Sequence, residues 1–266
     1  MKTRFISAFI MLAIVIPLLI IGDLPFKIFA SLIGAYGIYE LINVRSGEKK
    51  IPLGITIIAC IFMALLLFFS NDYLTTNNSI DFRIIIGAAL LFLFPLVFIN
   101  NNNKYNISDA LYIIGGIVFL GLAFSSFILI REIDLAHIIY LVLITIITDT
   151  FAFFTGKFIG KHKLIEKISP NKTIEGSIGG AIIGTIIPVL FYIFVIDNSI
   201  NIYLLVGITL LLSTIGQLGD LIFSSIKRHY NVKDFSNLIP GHGGILDRLD
   251  SIIFVVITYI LFISIL

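Results

Sequence analysis

Tryptophan is absent from the 266-residue sequence, cysteine occurs once, at Cys60, and charged residues make up only 13%. A single cysteine excludes an internal disulfide framework, and Cys60, inside an apolar run, reads as a small core or lipid-facing residue. Soluble domains carry roughly 25% charged residues. The shortage of charge here, with 58% hydrophobic residues and a mean hydropathy of +1.08, excludes a water-soluble globular class and makes lipid the solvent for the excess apolar surface. Also lacking is any continuous basic face. The formal charge is only +2, and Lys and Arg fall in short clusters between apolar runs, so the charge says nothing in favour of nucleic acid and none is expected as a partner. No small-residue cleavage site of the A-x-A kind follows MKTRF, so the first apolar run is expected to be a retained span rather than a signal peptide. The missing tryptophan, beside abundant Ile, Asn and Lys, points to an AT-rich, bacterial genome.

What is present is a series of long apolar runs. A helix needs about 20 apolar residues to cross a hydrocarbon core about 30 Å thick. Nine stretches meet that need, at about 5–22, 25–43, 51–70, 83–99, 109–130, 136–155, 176–196, 201–223 and 250–266. The expected fold class is all-α: a polytopic membrane helix bundle forming one integral domain over 1–266, with N-terminal spans at about 5–130 and catalytic spans and loops at about 136–266. If the N-terminus is cytoplasmic, all of the 18 Lys and Arg residues except Lys27, Arg83 and Arg131 fall in inner segments. An even number of spans does not give that bias, so nine are expected, with the N-terminus inside and the C-terminus outside. Loops 156–175 and 224–249 then face the cytoplasm, while the connector Asn71–Asp81 and the turn Asp197–Ile200 lie outside.

Chemistry-bearing residues concentrate between Leu218 and Asp250. Asp220 is expected about one turn before the inner end of the eighth span, and Asp247 and Asp250, three apart at the start of the ninth, share a helix face. Carboxylates crowded at one boundary repel unless a cation joins them, and Mg²⁺ takes one or two carboxylates together with substrate phosphates. The plain alternative is that Asp250 caps the ninth helix and Asp247 pairs with Arg248 or Lys233. Asp149, some two turns inside the sixth span, costs about 2.5–3.5 kcal/mol at the bilayer centre and must face the bundle or a polar cavity. It reads as a polar wall, a second metal ligand or a structural hydrogen bond. Lys227, Arg228 and Lys233, with Lys172 from the other loop, suit a polyphosphate; for Lys161, Lys163 and Lys167, anchoring to anionic headgroups is the preferred reading. In Pro240-Gly241-His242-Gly243-Gly244 the glycines let backbone amides approach a phosphate, and His242 reads as a donor or orienting group. Ser169–Gly176, with Glu175 and a turn fixed by Pro170, reads as a segment that closes over a nucleotide. Gly176, Gly180 and Gly184 form a close-packing helix face, and His137, His162 and His229 are assigned no chemistry.

The run Ser224-Ser225-Ile226-Lys227-Arg228, then Lys233-Asp234, then Pro240 through Asp250 resembles the signature of the phosphatidate cytidylyltransferases, also called CDP-diacylglycerol synthases. Ser169-Pro170-Asn171-Lys172-Thr173 with Glu175-Gly176, and Gly219-Asp220-Leu221, agree with it, as do the length and the nine-span topology. The resemblance implies transfer of a cytidylyl group from CTP to phosphatidate, giving CDP-diacylglycerol and pyrophosphate. Joined to the residue reading, it implies catalytic roles for Lys172, Lys227, Arg228, His242 and Asp250. Substrate contacts would come from Ser169, Asn171, Thr173, Ser224, Lys233, Gly243, Gly244 and Arg248. Asp220 and Asp247 would hold Mg²⁺, with Asp149 as a further donor and K⁺ as the candidate second cation. The implied setting is a bacterial plasma membrane, among membrane lipids, as a homodimer with its site on the cytoplasmic face. The chain departs from the family pattern at Phe151 and Phe153, where members often have glycine and tyrosine, and at Lys157, where they have arginine. Three rival readings are a CTP-dependent lipid kinase acting at the γ-phosphorus, an ion-coupled transporter using Asp149 and Asp220, and a structural scaffold.

Overall fold

The structure, a computed structural model, describes residues 2–45, 51–70, 82–99 and 104–263. The connector Asn71–Asp81, Lys49 and Lys50, the side chains of Lys2 and Arg83, and the end of the ninth stretch from 264 lie outside the described residues. Within the described residues each apolar stretch folds predominantly as helix, the form that satisfies all its backbone groups internally where no water can do so. In chain order these are α1 (Lys2–Ile21), α2 (Asp23–Arg45), α3 (Leu53–Phe68), α4 (Phe82–Leu93), α5 (Pro95–Phe98), α6 (Ile107–Ile133) and α7 (Leu135–Ile159), followed by α8 (Ile174–Phe191), α9 (Ile202–His229) and α10 (Leu246–Phe262). A π-helical turn, Tyr192–Ile196, extends α8. Among the described residues, six helices are long and apolar enough to cross a membrane: α1, α2, α6, α7, α8 with its π turn, and α9. The chain is therefore a multi-pass membrane protein of all-α class. α3 and the α4–α5 pair are shorter apolar helices, and α10 has 17 residues.

Three local expectations are corrected. The stretch 83–99 is interrupted after Leu93, and α5 restarts on Pro95, which has no N–H for the preceding turn. The eighth stretch does not stop near 223. It continues to His229, with Lys227, Arg228 and His229 in its last turn, where cations meet the negative end of the helix dipole; Asp220 is thus more than two turns from the helix end. Pro170 sits in no turn but within an antiparallel hairpin of β1 (Lys163–Ile165) and β2 (Ser169–Thr173), with Lys163 opposite Thr173 and Ile165 opposite Ser169. A two-stranded ribbon has only edge strands, and these tolerate proline.

The described chain forms two compact units. The first comprises Met1–Leu129 and Tyr230–Arg248. α2 is its centre, with Phe26, Ala30, Ile38, Leu41, Ile42 and Val44 buried. Gly34 leaves room for Leu67 of α3, and Gly116 of α6 for Ile38 and Leu41. At the end of α2, Arg45 donates through Nε and Nη2 to Asp109 Oδ1 at 2.9 and 2.8 Å. Asp109 is only 1% exposed and exchanges reciprocal capping bonds with Asn106 at the start of α6, both 2.9 Å. One carboxylate thereby satisfies a guanidinium and a helix N-terminus together.

The second unit comprises Ile130–His229 and Leu249–Leu266. The glycine face expected on α8 packs against α7: a Cβ on Gly180 would lie 2.6 Å from the Thr148 carbonyl oxygen and 2.7 Å from the Ala152 methyl. Polar side chains lace α9 to its neighbours, through Tyr140 and Thr209 at 2.7 Å, Thr148 and Ser213 at 2.7 Å, and Ser177 donating to Gln217 Oε1 at 2.6 Å. α10 approaches α9 at Gly219, where a Cβ would sit 2.6 Å from the Phe254 ring and 2.9 Å from the Asp250 carbonyl oxygen. Substituting valine at Gly180 should cost about 1–3 kcal/mol by overpacking and lower the unfolding temperature in detergent. Gly207→Ala, where nothing stands within 4 Å of the new methyl, should leave that temperature unchanged.

Candidate functional site

In the second unit, two motifs far apart in sequence meet. β2 delivers Lys172, whose Nζ lies 2.6 Å from Asp220 Oδ2 of α9, and both side chains are about a quarter exposed (29% and 26%). Ser224, one turn further along α9, donates to Asp220 Oδ1 at 3.2 Å. The charges of Lys172 and Asp220 reach Asp149 of α7. Those of Asp220, Lys227 and Asp149 reach Asp250 of α10. Lys227 itself is only 8% exposed. The unit therefore gathers three carboxylates and two ammonium groups from α7, β2, α9 and α10, on the close approaches that Gly180 and Gly219 permit.

The hairpin that carries Lys172 is tied down from several sides. Glu175 accepts from the backbone N–H groups of Lys161 and His162 and from His162 Nδ1, the last at 2.6 Å. Thr173 caps α8 by accepting from Gly176 N at 3.1 Å, and Arg228 Nε donates to the Ile168 carbonyl at 3.5 Å. Ser169 and Asn171 lie on β2, Asn171 exposed. Glu175 braces the hairpin from within. Lys157 rests 6.0 Å from the Phe153 ring centroid, and that ring is 64% exposed.

In the first unit, the loop from Tyr230 to Arg248 is built around its own carboxylate. Asp247 Oδ2 accepts from Phe235 N at 2.8 Å and Gly244 N at 2.9 Å. The plain alternative of pairing with Arg248 is not what Arg248 does: its Nε donates to the His242 carbonyl at 2.9 Å. His242 Nδ1 stands 2.8 Å from Ser7 Oγ, which also donates to the Pro240 carbonyl. Lys233 is exposed. Gly241 and Gly243 take φ of +78° and +85°, a region L side chains avoid. A Cβ on Gly243 would lie 2.8 Å from Asp247 Oδ2, and one on Gly244 would strike the Glu40 carboxylate. Gly243 and Gly244 thus make room for carboxylates of the chain itself, whereas a Cβ on Gly241 would lie 2.7 Å from the Arg4 side chain.

Glu40 is a buried carboxylate missed by sequence reasoning. It lies in α2 at 0% exposure and accepts from Ser236 Oγ at 2.6 Å, Ile245 N at 2.9 Å and Leu246 N at 2.8 Å. A lone carboxylate in an apolar span is itself the signal, because it must find a partner; that rule singled out Asp149 and applies equally to Glu40.

Membrane-spanning helices, a cluster of carboxylates and ammonium groups in one unit, and a glycine loop shaped around carboxylates in the other define an integral membrane protein equipped to handle anionic groups. The chain belongs to the Cytidylyltransferase family, whose model matches residues 2–266. Three relatives that carry the name phosphatidate cytidylyltransferase are similar along nearly their whole length. The proteins of Staphylococcus haemolyticus and Staphylococcus aureus are 38% and 37% identical over 255 residues, and that of Staphylococcus epidermidis 38% over 256, with 96% of both chains covered in each comparison.

Gly243→Ala should place a methyl in strained backbone against Asp247 and cost about 1–3 kcal/mol. It should open the loop to trypsin at Lys233 well before the helices unfold, as limited proteolysis followed by mass spectrometry would show.

Proposed function

We propose that the chain is a phosphatidate cytidylyltransferase, transferring the cytidylyl group of CTP to phosphatidate and forming CDP-diacylglycerol and pyrophosphate for phospholipid synthesis. The observation that carries this reading is the meeting of Lys172, from SPNKT, with Asp220, from GDL, in one pair 2.6 Å apart, in a chain matched over its whole length by the family. Neither the lipid kinase nor the transporter alternative is supported by the family or by the names of the relatives.

The donors present suit a hard divalent cation. Among the described residues no three His, Cys, Asp or Glu side chains form a ready-made metal cage, and Mg²⁺ needs none, since it is commonly bound by one or two carboxylates with water and substrate phosphates. Asp220 would hold it, with Asp149 as the further oxygen donor in the same unit and Asp250 in support. Bound there, Mg²⁺ supplies charge neutralisation for the triphosphate. Asp247 takes the ligand role that the resemblance gives it, and K⁺ is the candidate second cation.

The phosphate monoester of phosphatidate is already anionic at neutral pH and attacks the α-phosphorus of CTP as pyrophosphate leaves, so no dedicated base is required. Positioning and charge carry the rate. Lys172, Lys227 and Arg228 neutralise phosphate oxygens, and Ser169, Asn171, Thr173 and Ser224 surround them on the same unit. His242, Gly243 and Gly244, with Lys233 and Arg248, supply the loop's contacts to substrate. The uneven distribution of Lys and Arg supports a cytoplasmic location for this chemistry, in a bacterial plasma membrane; assembly as a homodimer follows the resemblance.

The test is a product assay in mixed micelles containing phosphatidate, Mg²⁺ and CTP labelled on the α-phosphate. Label should enter the lipid fraction with release of pyrophosphate, whereas label remaining aqueous as CDP would establish the kinase. The loop geometry adds a sharper expectation. Both backbone donors reach the same oxygen of Asp247, so the amide oxygen of asparagine can keep both bonds while losing the charge. Asp247→Asn should therefore still fold and lose roughly 100-fold or more in turnover. Substantial activity at saturating Mg²⁺ would refute the assignment.

A further inference from the structure

We infer that Glu40 is a positioning residue for cytidylyl transfer: its buried carboxylate fixes the loop from Ser236 to Asp247 and the register in which α10 begins. The inference rests on the function proposed above and extends it to a helix, α2, that contributes none of the residues singled out from the signature.

The first backbone N–H groups of a helix have no partner within it, and at α10 two consecutive donors, those of Ile245 and Leu246, converge on Glu40. Ser236 donates to it from the far side of the loop. All three partners are donors, the pattern an ionised carboxylate accepts, and its charge lies at the positive end of the α10 dipole. The absence of a side chain at Gly244 is what allows the carboxylate in. Asp247 then grips the same loop at Phe235 and Gly244. Two carboxylates thus hold alternate points along one stretch: Asp247 takes residues 235 and 244, and Glu40 takes 236, 245 and 246. Because the start of α10 is pinned in this way, the direction of Asp247 is set by a side chain from α2.

A glutamine has nearly the same shape but cannot replace this group. One carboxylate oxygen faces Ser236 and Ile245 and the other faces Leu246, so either orientation of the amide aims an NH₂ at a donor. In the purified full-length protein, Glu40→Gln should lower kcat by roughly 100-fold per folded molecule, the scale of a small misplacement of reacting groups, while the KM for CTP changes by less than about threefold. Trypsin should cleave after Lys233 about tenfold faster at an unchanged unfolding temperature, because only the loop has been released. A merely structural role predicts instead a smaller folded fraction with wild-type kcat per folded molecule, and wild-type values for both kcat and loop cleavage would overturn the inference. Should Glu40→Gln fail to fold, Ser236→Ala removes one of the three bonds, and a several-fold fall in kcat with faster cleavage is expected; wild-type behaviour of that variant overturns the inference equally. Absence of transferase activity in the wild type would sink the proposed function instead, and the trypsin comparison would still decide whether Glu40 holds the loop.

Discussion

A carboxylate in an apolar helix bundle persists only where donors or counter-charges meet it, and this requirement organises the parts of the structure that matter for chemistry. Asp109 meets Arg45 and the start of α6. Glu40 meets the start of α10 and Ser236, and Asp247 meets two amides of its own loop. Asp220 meets Lys172 and Ser224. In the first unit the result is a loop whose backbone is dictated by acids. In the second the result is a cluster in which Asp149, Asp220 and Asp250 sit within reach of one another's charge, an arrangement that invites a cation.

Glycine supplies the distances at which those groups can meet. The α8 seam of Gly176, Gly180 and Gly184 brings α8 against α7 and so fixes β2, which leads directly into α8, relative to the helix carrying Asp149. Gly219 brings α9 against α10 beside the carbonyl of Asp250. Side-chain bonds from Thr148 to Ser213 and from Ser177 to Gln217 fasten α9 in place, the kind of polar contact that helps join helices in lipid, where apolar burial cannot drive them together. The cluster's geometry is thus a consequence of small residues.

Much of this could be read in the sequence because its signals are local. Apolar runs gave the helices, four-residue glycine spacing gave the α8 seam, and the density of charge from Leu218 to Asp250 gave the loop and the start of α10. The shortage of charge elsewhere in the chain is what sets Lys172 among the cations near a group of carboxylates that includes Asp220. What escaped was non-local or set by competition between neighbouring signals. Glu40 has its partners some 205 positions away in the chain, and no periodicity points to them. The extension of α9 to His229 went unread because charged residues at 227–229 look like the end of a span, although they suit the end of a helix. Pro170 suggested a turn, yet pairing across a short ribbon overrode that preference. Nor does the spacing of the loop glycines reveal that Gly243 and Gly244 accommodate carboxylates of the chain itself.

We propose the acidic cluster of the second unit as a cation site completed by the triphosphate. Electron paramagnetic resonance titration of Mn²⁺, used in place of Mg²⁺, tests it without relying on turnover. Mn²⁺ should bind the wild type more tightly in the presence of CTP than to CTP alone, and Asp220→Asn should abolish that gain while the protein remains folded. An equal gain in wild type and variant would contradict the claim.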